Sequence, residues 1–155
     1  MKKKSIILAL ILLILASPLY AAGQQFNRRK PVIIDQDLII RTADISEYAL
    51  FYPVTIDGFS IEILVVRAPD NTIRTAFNAC IVCYSLGKGY FVQHRSVLIC
   101  QQCGESFTMD SVEVQSEGCY PIPISRENKT VTAAAITISR EYLLQAKIMF
   151  EQLME

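Results

Sequence analysis

The chain has 155 residues, of which 52% are apolar, and its 15 basic and 15 acidic side chains give a formal net charge of zero. This length suits one ordinary domain and is short for two. The charged residues form no clustered basic face of the kind that nucleic-acid-binding proteins carry, so the pattern excludes nucleic acid as the expected partner.

The N-terminus has the pattern of an export signal. Three lysines at positions 2–4 precede an apolar run over residues 6–16. The run is shorter than the roughly 20 residues that span a bilayer, and small residues follow it, as in secretory signals. We therefore predict that residues 1–21 are a cleaved signal peptide or an N-terminal membrane anchor. A linker is predicted over 22–36 and one domain over 37–155, and cleavage would leave 12 basic and 15 acidic side chains.

The predicted elements after the linker are almost all β-strands. They cover residues 32–34, 38–40, 48–56, 59–66, 72–77, 90–92, 97–99, 107–114 and 130–138. Apolar residues alternate with others over 59–66, which is typical of a strand. Asp57-Gly58 predicts a tight hairpin before that strand. Pro121 and Pro123 predict an extended loop outside any sheet, and Ser139 is expected to cap a final helix.

Four of the five cysteines form two Cys-x-x-Cys pairs, Cys80/Cys83 and Cys100/Cys103, with sixteen residues between the pairs. Two intervening residues allow a tight turn to direct both sulfurs to one point, so two such turns predict a tetrahedral four-sulfur pocket. Four thiolates suit zinc, a single iron or an iron–sulfur cluster. Two structural disulfides are the alternative, because an oxidising compartment permits them.

The remaining reactive residues narrow the chemistry. The single histidine, His94, excludes a Rieske cluster, which needs two histidines. Covalent haem attachment is excluded as well, because it requires a histidine directly after Cys-x-x-Cys, and Tyr84 and Gly104 occupy those positions. Cys119, in a proline-rich loop, remains open as a substitute ligand, a thiol that covers the site or a free buried cysteine. No nucleophile–base pair or carboxylate pair stands out, so we do not expect a stand-alone enzyme.

Three sequence blocks together point to one family. They are Ala-Phe-x-Ala-Cys-x-x-Cys at 76–83, Cys-x-x-Cys-Gly at 100–104 and Gly-Cys-Tyr-Pro-Ile-Pro at 118–123. In this combination, and over roughly residue 37 to the C-terminus, the chain resembles the membrane iron–sulfur (FtrD-like) proteins. It departs from the usual family pattern at Asn78, where aspartate is common, at Glu117, which stands just before the last block in place of a glycine, and at Tyr120, which replaces an asparagine.

The resemblance implies a mostly β domain, similar to a small Rieske or zinc-ribbon domain, with two cysteine knuckles and a C-terminal helix. It implies an iron–sulfur cluster held by the four paired cysteines, with Cys119 in the loop over it. The implied function is electron transfer in ferrous-iron import at the periplasmic face of the cytoplasmic membrane. Its implied partners are a membrane iron permease and a periplasmic iron-binding or cupredoxin-like protein. The alternative function is a zinc-binding or disulfide-stapled docking module without a redox role.

Overall fold

The computed structural model describes residues 28–155, so the predicted signal or anchor segment lies outside the described residues. This part of the chain contains eleven strands and one α-helix, which confirms the mostly β fold with a C-terminal helix. The elements are β1 (Val32–Ile33), β2 (Leu38–Arg41), β3 (Leu50–Ile56), β4 (Phe59–Arg67), β5 (Ile73–Cys80), β6 (Phe91–His94), β7 (Val97–Cys100), β8 (Ser106–Thr108), β9 (Pro121–Pro123), β10 (Thr130–Val131), β11 (Ala135–Ile138) and α1 (Arg140–Leu153).

A five-stranded sheet in the order β1-β3-β4-β5-β9 forms the centre of the domain. Its neighbouring strands are antiparallel except for β1 and β3, which are parallel. The predicted hairpin joins β3 to β4, and both turn residues have positive φ, 45° at Asp57 and 79° at Gly58. Positive φ at both central positions is the conformation that Asp-Gly favours and that matches the twist of a hairpin.

The central sheet has an apolar core on each face, because successive side chains of a strand point in opposite directions. On β4, Ile61, Ile63 and Val65 belong to one core, whereas Leu64 and Val66 belong to the other. The same alternation occurs on β5, where Phe77 belongs to the first core and Cys80 to the second. The cysteine site therefore lies on one face of the sheet only.

The first core is covered by the β10-β11-β2 sheet and by α1. The Ser139 Oγ accepts a hydrogen bond from the Tyr142 backbone N–H at 3.2 Å, so the predicted N-cap is present. The helix buries Leu143, Ala146 and Phe150. The Phe150 ring packs edge-on against Phe77 of β5, with 5.1 Å between ring centroids. The helix thus supports the strand that ends at the first cysteine pair.

The second core is covered by the β6-β7-β8 sheet, which carries the second cysteine pair. Its apolar members from this sheet and the segment after it are Phe91, Leu98, Phe107, Met109 and Val112. They pack around the buried cysteines. The site is therefore enclosed between the central sheet and this smaller sheet.

The prediction for the two prolines was wrong, because Pro121–Pro123 forms the edge strand β9 and pairs with β5. Proline lacks a backbone N–H, and an edge strand tolerates this loss because one side of it needs no partner. The flanking residues supply the hydrogen bonds. Ile124 N–H donates to the Thr75 carbonyl at 3.0 Å, and the Tyr120 carbonyl accepts from Ile81 N–H at 3.2 Å.

Two of the predicted strands differ substantially from the observed ones. The strand predicted over 107–114 comprises only Ser106–Thr108, and a 3-10 turn over Met109–Ser111 follows it. The strand predicted over 130–138 is divided into β10 and β11. The Thr132 Oγ1 accepts hydrogen bonds from the backbone N–H groups of Ala134 and Ala135, which stabilises a turn at this point.

Candidate metal centre

The first cysteine pair lies at the end of β5. Cys80 is the last residue of the strand, and Cys83 closes a tight turn by donating its N–H to the Cys80 carbonyl at 3.1 Å. Gly89 fastens this turn, since its carbonyl accepts from Cys80 N–H at 2.7 Å. Its backbone also lies so close that an added Cβ would be 2.3 Å from the Cys83 carbonyl carbon. Both cysteines are buried, with exposed fractions of 0% and 4%.

The second pair follows the β6–β7 hairpin. Cys100 ends β7, and its carbonyl accepts the Gly104 N–H at 2.9 Å, with Gly104 at φ 76°. This positive φ explains the glycine after the pair. Cys100 is buried, but Cys103 is exposed. Gln101 N–H donates to the Tyr90 carbonyl at 2.9 Å, which joins the second turn to the segment before β6.

The fifth cysteine, Cys119, reaches the site through the pairing of β9 with β5. Pro121 lies opposite Cys80 in the register, so Cys119 lies just beyond the end of that pairing. The hydrogen bond from Ile81 to Tyr120 extends the contact on the same side. As a result, the Cys119 Sγ is 2.8 Å from the Cys80 Sγ.

Five thiols thus meet at one place. The sulfurs of Cys80, Cys83, Cys100 and Cys119 all lie within 4.8 Å of one another. Cys103 lies beside this group, with its Sγ 3.2 Å from that of Cys119. All five cysteines are free of disulfide bonds in the structure. The structure brings three of the four paired cysteines into the compact group, with Cys119 as its fourth member.

The thiols differ in acidity because their surroundings differ. Burial raises the pKa of Cys83 to about 12. Burial likewise raises the pKa of Cys100 and of Cys119. The exposed Cys103 behaves in the opposite way, because the Glu105 backbone N–H and the Cys119 thiol donate to it and lower its pKa to about 7. Buried thiolates need a compensating cation, so metal binding here would release protons.

The arrangement of the thiols fits a bound metal. Four sulfurs at about 2.3 Å from one tetrahedral ion lie roughly 3.8 Å apart. The compact group, with all four sulfurs within 4.8 Å, requires little movement to reach that geometry. Thiolates are soft ligands that select zinc and iron over calcium or magnesium. The backbone N–H groups of Gln102 and Cys103 also donate toward the Cys100 sulfur and stabilise its negative charge.

Asn78 connects the two sheets beneath the site. Its Nδ2 donates to Glu62 Oε2 at 2.7 Å and to the Phe91 carbonyl at 3.1 Å. Its Oδ1 accepts from the Phe91 N–H at 2.8 Å. The amide therefore satisfies both backbone groups of Phe91 and holds β6 against β5. From the sequence alone, Asn78 is distinguished only as a departure from the usual family pattern, although a polar residue two positions before Cys80 is a usable signal of this role.

The comparison with protein families identifies the chain. The family model described as "Membrane iron-sulfur containing protein FtrD-like" matches residues 45–150, which is more than half of the sequence. The chain therefore belongs to the FtrD-like family, as its motifs predicted. No curated protein and no solved structure matches it. Between residues 28 and 155, no helix has both the length and the apolar character needed to cross a bilayer.

Proposed function

We propose that this FtrD-like protein is a one-electron carrier, with an iron–sulfur centre in its cysteine site, that serves ferrous-iron import. The observation that carries the proposal is the group of four sulfurs within 4.8 Å in a chain of a membrane iron–sulfur family. Iron bound to thiolates supplies reversible one-electron chemistry and needs no catalytic side chain beside it.

The surroundings of the thiols suit such a carrier. Cys80, Cys83 and Cys100 are buried between the two sheets, which excludes water from most of the site. Burial disfavours negative charge on the centre, whereas N–H donors to the sulfurs stabilise it. The balance of the two sets the reduction potential of the centre. The second turn is exposed at Cys103, so this side offers the shortest route for an electron to a docked partner.

We further propose a position at the periplasmic face of the cytoplasmic membrane, with a membrane iron permease and a periplasmic iron-binding or cupredoxin-like protein as partners. The basic and apolar N-terminal pattern supports export or anchoring, and the family is one of membrane proteins. In this arrangement the protein would accept the electron released when ferrous iron is oxidised during import.

A structural zinc domain is the second candidate. The compact sulfur group favours it, because one tetrahedral zinc ion requires just such spacing and a closed four-cysteine site. In that case the domain would serve as a docking module, and no electron would pass through it.

Metal analysis and spectroscopy separate the two candidates. The full chain would be purified anaerobically in detergent from cells supplied with iron, then examined for metal content, visible absorption and EPR. If the protein is an electron carrier, we expect stoichiometric iron and a visible absorption that bleaches with dithionite. Both should be lost in Cys80→Ser. One zinc per chain and a featureless visible spectrum would overturn the carrier and support the docking module.

A further inference from the structure

The site has more thiols than a tetrahedral centre needs. Four ligands complete such a centre, whereas five cysteines lie together here. Cys80, Cys83 and Cys100 are buried, and they belong both to the two Cys-x-x-Cys pairs and to the compact group. The open question is whether Cys103 or Cys119 is the fourth ligand, and the two residues differ in three ways.

The first difference is distance. Cys119 belongs to the group whose sulfurs all lie within 4.8 Å of one another. Its contact with Cys80, at 2.8 Å, links it directly to the most deeply buried cysteine. Cys103 is not a member of this group; its Sγ lies 3.2 Å from that of Cys119, and it also contacts the thiols of Cys83 and Cys100 but not that of Cys80.

The second difference is the backbone that carries each thiol. Cys119 precedes β9, which is fixed to β5 by hydrogen bonds at both ends. This pairing positions Cys119 at Cys80 through the main sheet. Cys103 lies in a turn that leaves β7, and it precedes the left-handed Gly104. Its position depends on a short turn rather than on a strand.

The third difference is exposure. Cys119 is half-buried and packs against the second core, whereas Cys103 is exposed to solvent. A ligand that closes a site from solvent suits a centre whose other three ligands are buried. The exposed Cys103 covers Cys119 from the outside instead.

We propose that Cys119, rather than Cys103, completes the ligand set with Cys80, Cys83 and Cys100. The assignment rests on the proposed function only in requiring that the site binds a metal, either iron or zinc. Cys103 is then a free thiol at the surface of the loaded site.

Alkylation of the metal-loaded chain tests the assignment without any substitution. The full chain, purified anaerobically with its metal, would be treated with iodoacetamide, and the modified cysteines would be located by mass spectrometry. We expect Cys103 to be modified and the other four cysteines to be protected until a chelator removes the metal. Protection of Cys103 with modification of Cys119, or protection of all five, would overturn the assignment.

Two matched variants provide a second test, with cobalt as the probe. Cys119→Ser and Cys103→Ser would each be titrated with Co²⁺, and the sulfur-to-cobalt charge-transfer band would report the number of bound thiolates. We expect Cys119→Ser to weaken binding by more than the ~10–100-fold typical of losing a group that only supports a ligand. Cys103→Ser should keep the wild-type band and affinity. The reverse result would overturn the assignment.

The ligand assignment and the proposed function can be overturned independently of each other. If the chain isolated from cells contains zinc and no iron, the electron carrier is excluded, but the alkylation pattern still decides between Cys103 and Cys119. If iron is present and Cys103 is protected in place of Cys119, the carrier stands and the ligand assignment is wrong. Circular dichroism of both variants shows whether a lost band reflects unfolding.

Discussion

The two cysteine knuckles have the same spacing but different surroundings. Cys80 and Cys83 are both buried, whereas Cys100 is buried and its partner Cys103 is exposed. The first knuckle ends an interior strand of the five-stranded sheet and has the backbone of Gly89 packed against it. The second ends a strand of the smaller sheet, and its turn faces outward.

The difference shows that Cys-x-x-Cys specifies a local turn, not the environment of its sulfurs. Two intervening residues suffice to bring two sulfurs near one another in either knuckle. Their burial depends on what other segments pack over the turn, and Cys119 arrives from one such segment. Substitutions at the contacts around each knuckle test which of these contacts make the two knuckles unequal.

Gly89→Ala should have the largest effect, because the added methyl group would collide with the backbone of the first knuckle. The new Cβ would lie 2.3–2.4 Å from backbone atoms of Cys83 and Tyr84, and backbone atoms cannot move aside as a flexible side chain can. We expect a loss of about 3 kcal/mol in the free energy of unfolding, the upper end for overpacking, together with loss of bound metal. Chemical denaturation and metal analysis would measure both.

The neighbouring Lys88→Ala is the control, since Lys88 is exposed and its side chain has no role in the knuckle. It should keep the metal and the wild-type stability. If Gly89→Ala behaved in the same way, the close backbone contact would not be what buries the first knuckle.

Lys129→Met should loosen the segment that leads to Cys119. The Lys129 ammonium donates to Glu113 Oε2 and to Thr75 Oγ1, and only 3% of its side chain and 14% of that of Glu113 are exposed. Removing one partner of a buried ion pair leaves the other charge without compensation, so we expect a loss of about 3 kcal/mol. Denaturation of the metal-free chain would measure it.

The matched control is Lys147→Met, which removes a partly exposed helical pair with Glu151. Such pairs contribute about 0.2–0.5 kcal/mol, so this variant should be nearly as stable as the wild type. Alkylation of the metal-free variants gives a second comparison. Cys119 should react faster in Lys129→Met, while Cys80 should react at the wild-type rate. Equal rates for Cys119 in both variants would contradict the role assigned to the ion pair.

Asn78→Asp tests the connection between the sheets that carry the two knuckles. A carboxylate at this position would face two acceptors, Glu62 Oε2 and the Phe91 carbonyl, where the amide now donates. We expect a loss of about 2 kcal/mol at pH 7, because a buried donor interaction is replaced by repulsion. The same contacts would raise the pKa of the new carboxyl in the folded state.

The sign of the pH dependence follows from that raised pKa. A carboxyl that binds its proton more tightly in the folded state favours folding at low pH, so the loss should diminish as the pH falls from 7 toward 5. Adding Glu62→Gln should restore part of the stability at pH 7, since the repelling charge is removed. A loss that does not change with pH and is not reduced by Glu62→Gln would contradict the hydrogen-bond assignment.

Asp70→Asn should have the smallest effect and leave both knuckles unchanged. The Thr72 hydroxyl and backbone N–H, with Arg74, hold the pKa of Asp70 at about 2, below its ordinary value of 3.8. Its contribution is therefore complete above about pH 4 and lost as the pH falls through 2. Melting of the metal-free chain should show a small difference from wild type at pH 6 that disappears near pH 2. The control is Asp35→Asn at pH 6, which should leave the melting temperature unchanged because the Asp35 side chain is exposed.

Much of the fold follows from local sequence patterns. The Asp57-Gly58 turn, the alternation along β4 and the Ser139 cap all depend on neighbouring residues, and the structure contains each of them. The family also follows from the sequence, because its motifs are short and contiguous. The prediction for the two prolines was wrong because proline is incompatible with interior strands but not with edge strands. Whether a strand lies at the edge of a sheet depends on the tertiary structure, which local sequence does not reveal.

The sequence by itself determined that four cysteines form two knuckles suited to a metal. Only the tertiary structure decided which sulfurs lie closest together. Cys119 follows Cys80 by 39 positions, and the two meet because β9 pairs with β5 in one register. That register is held by the hydrogen bonds of Ile81 and Ile124 and by the packing of Ile122 and Ile124 into the first core, rather than by any local motif. Spacing along the chain therefore predicts the turns, and strand pairing determines the composition of the site.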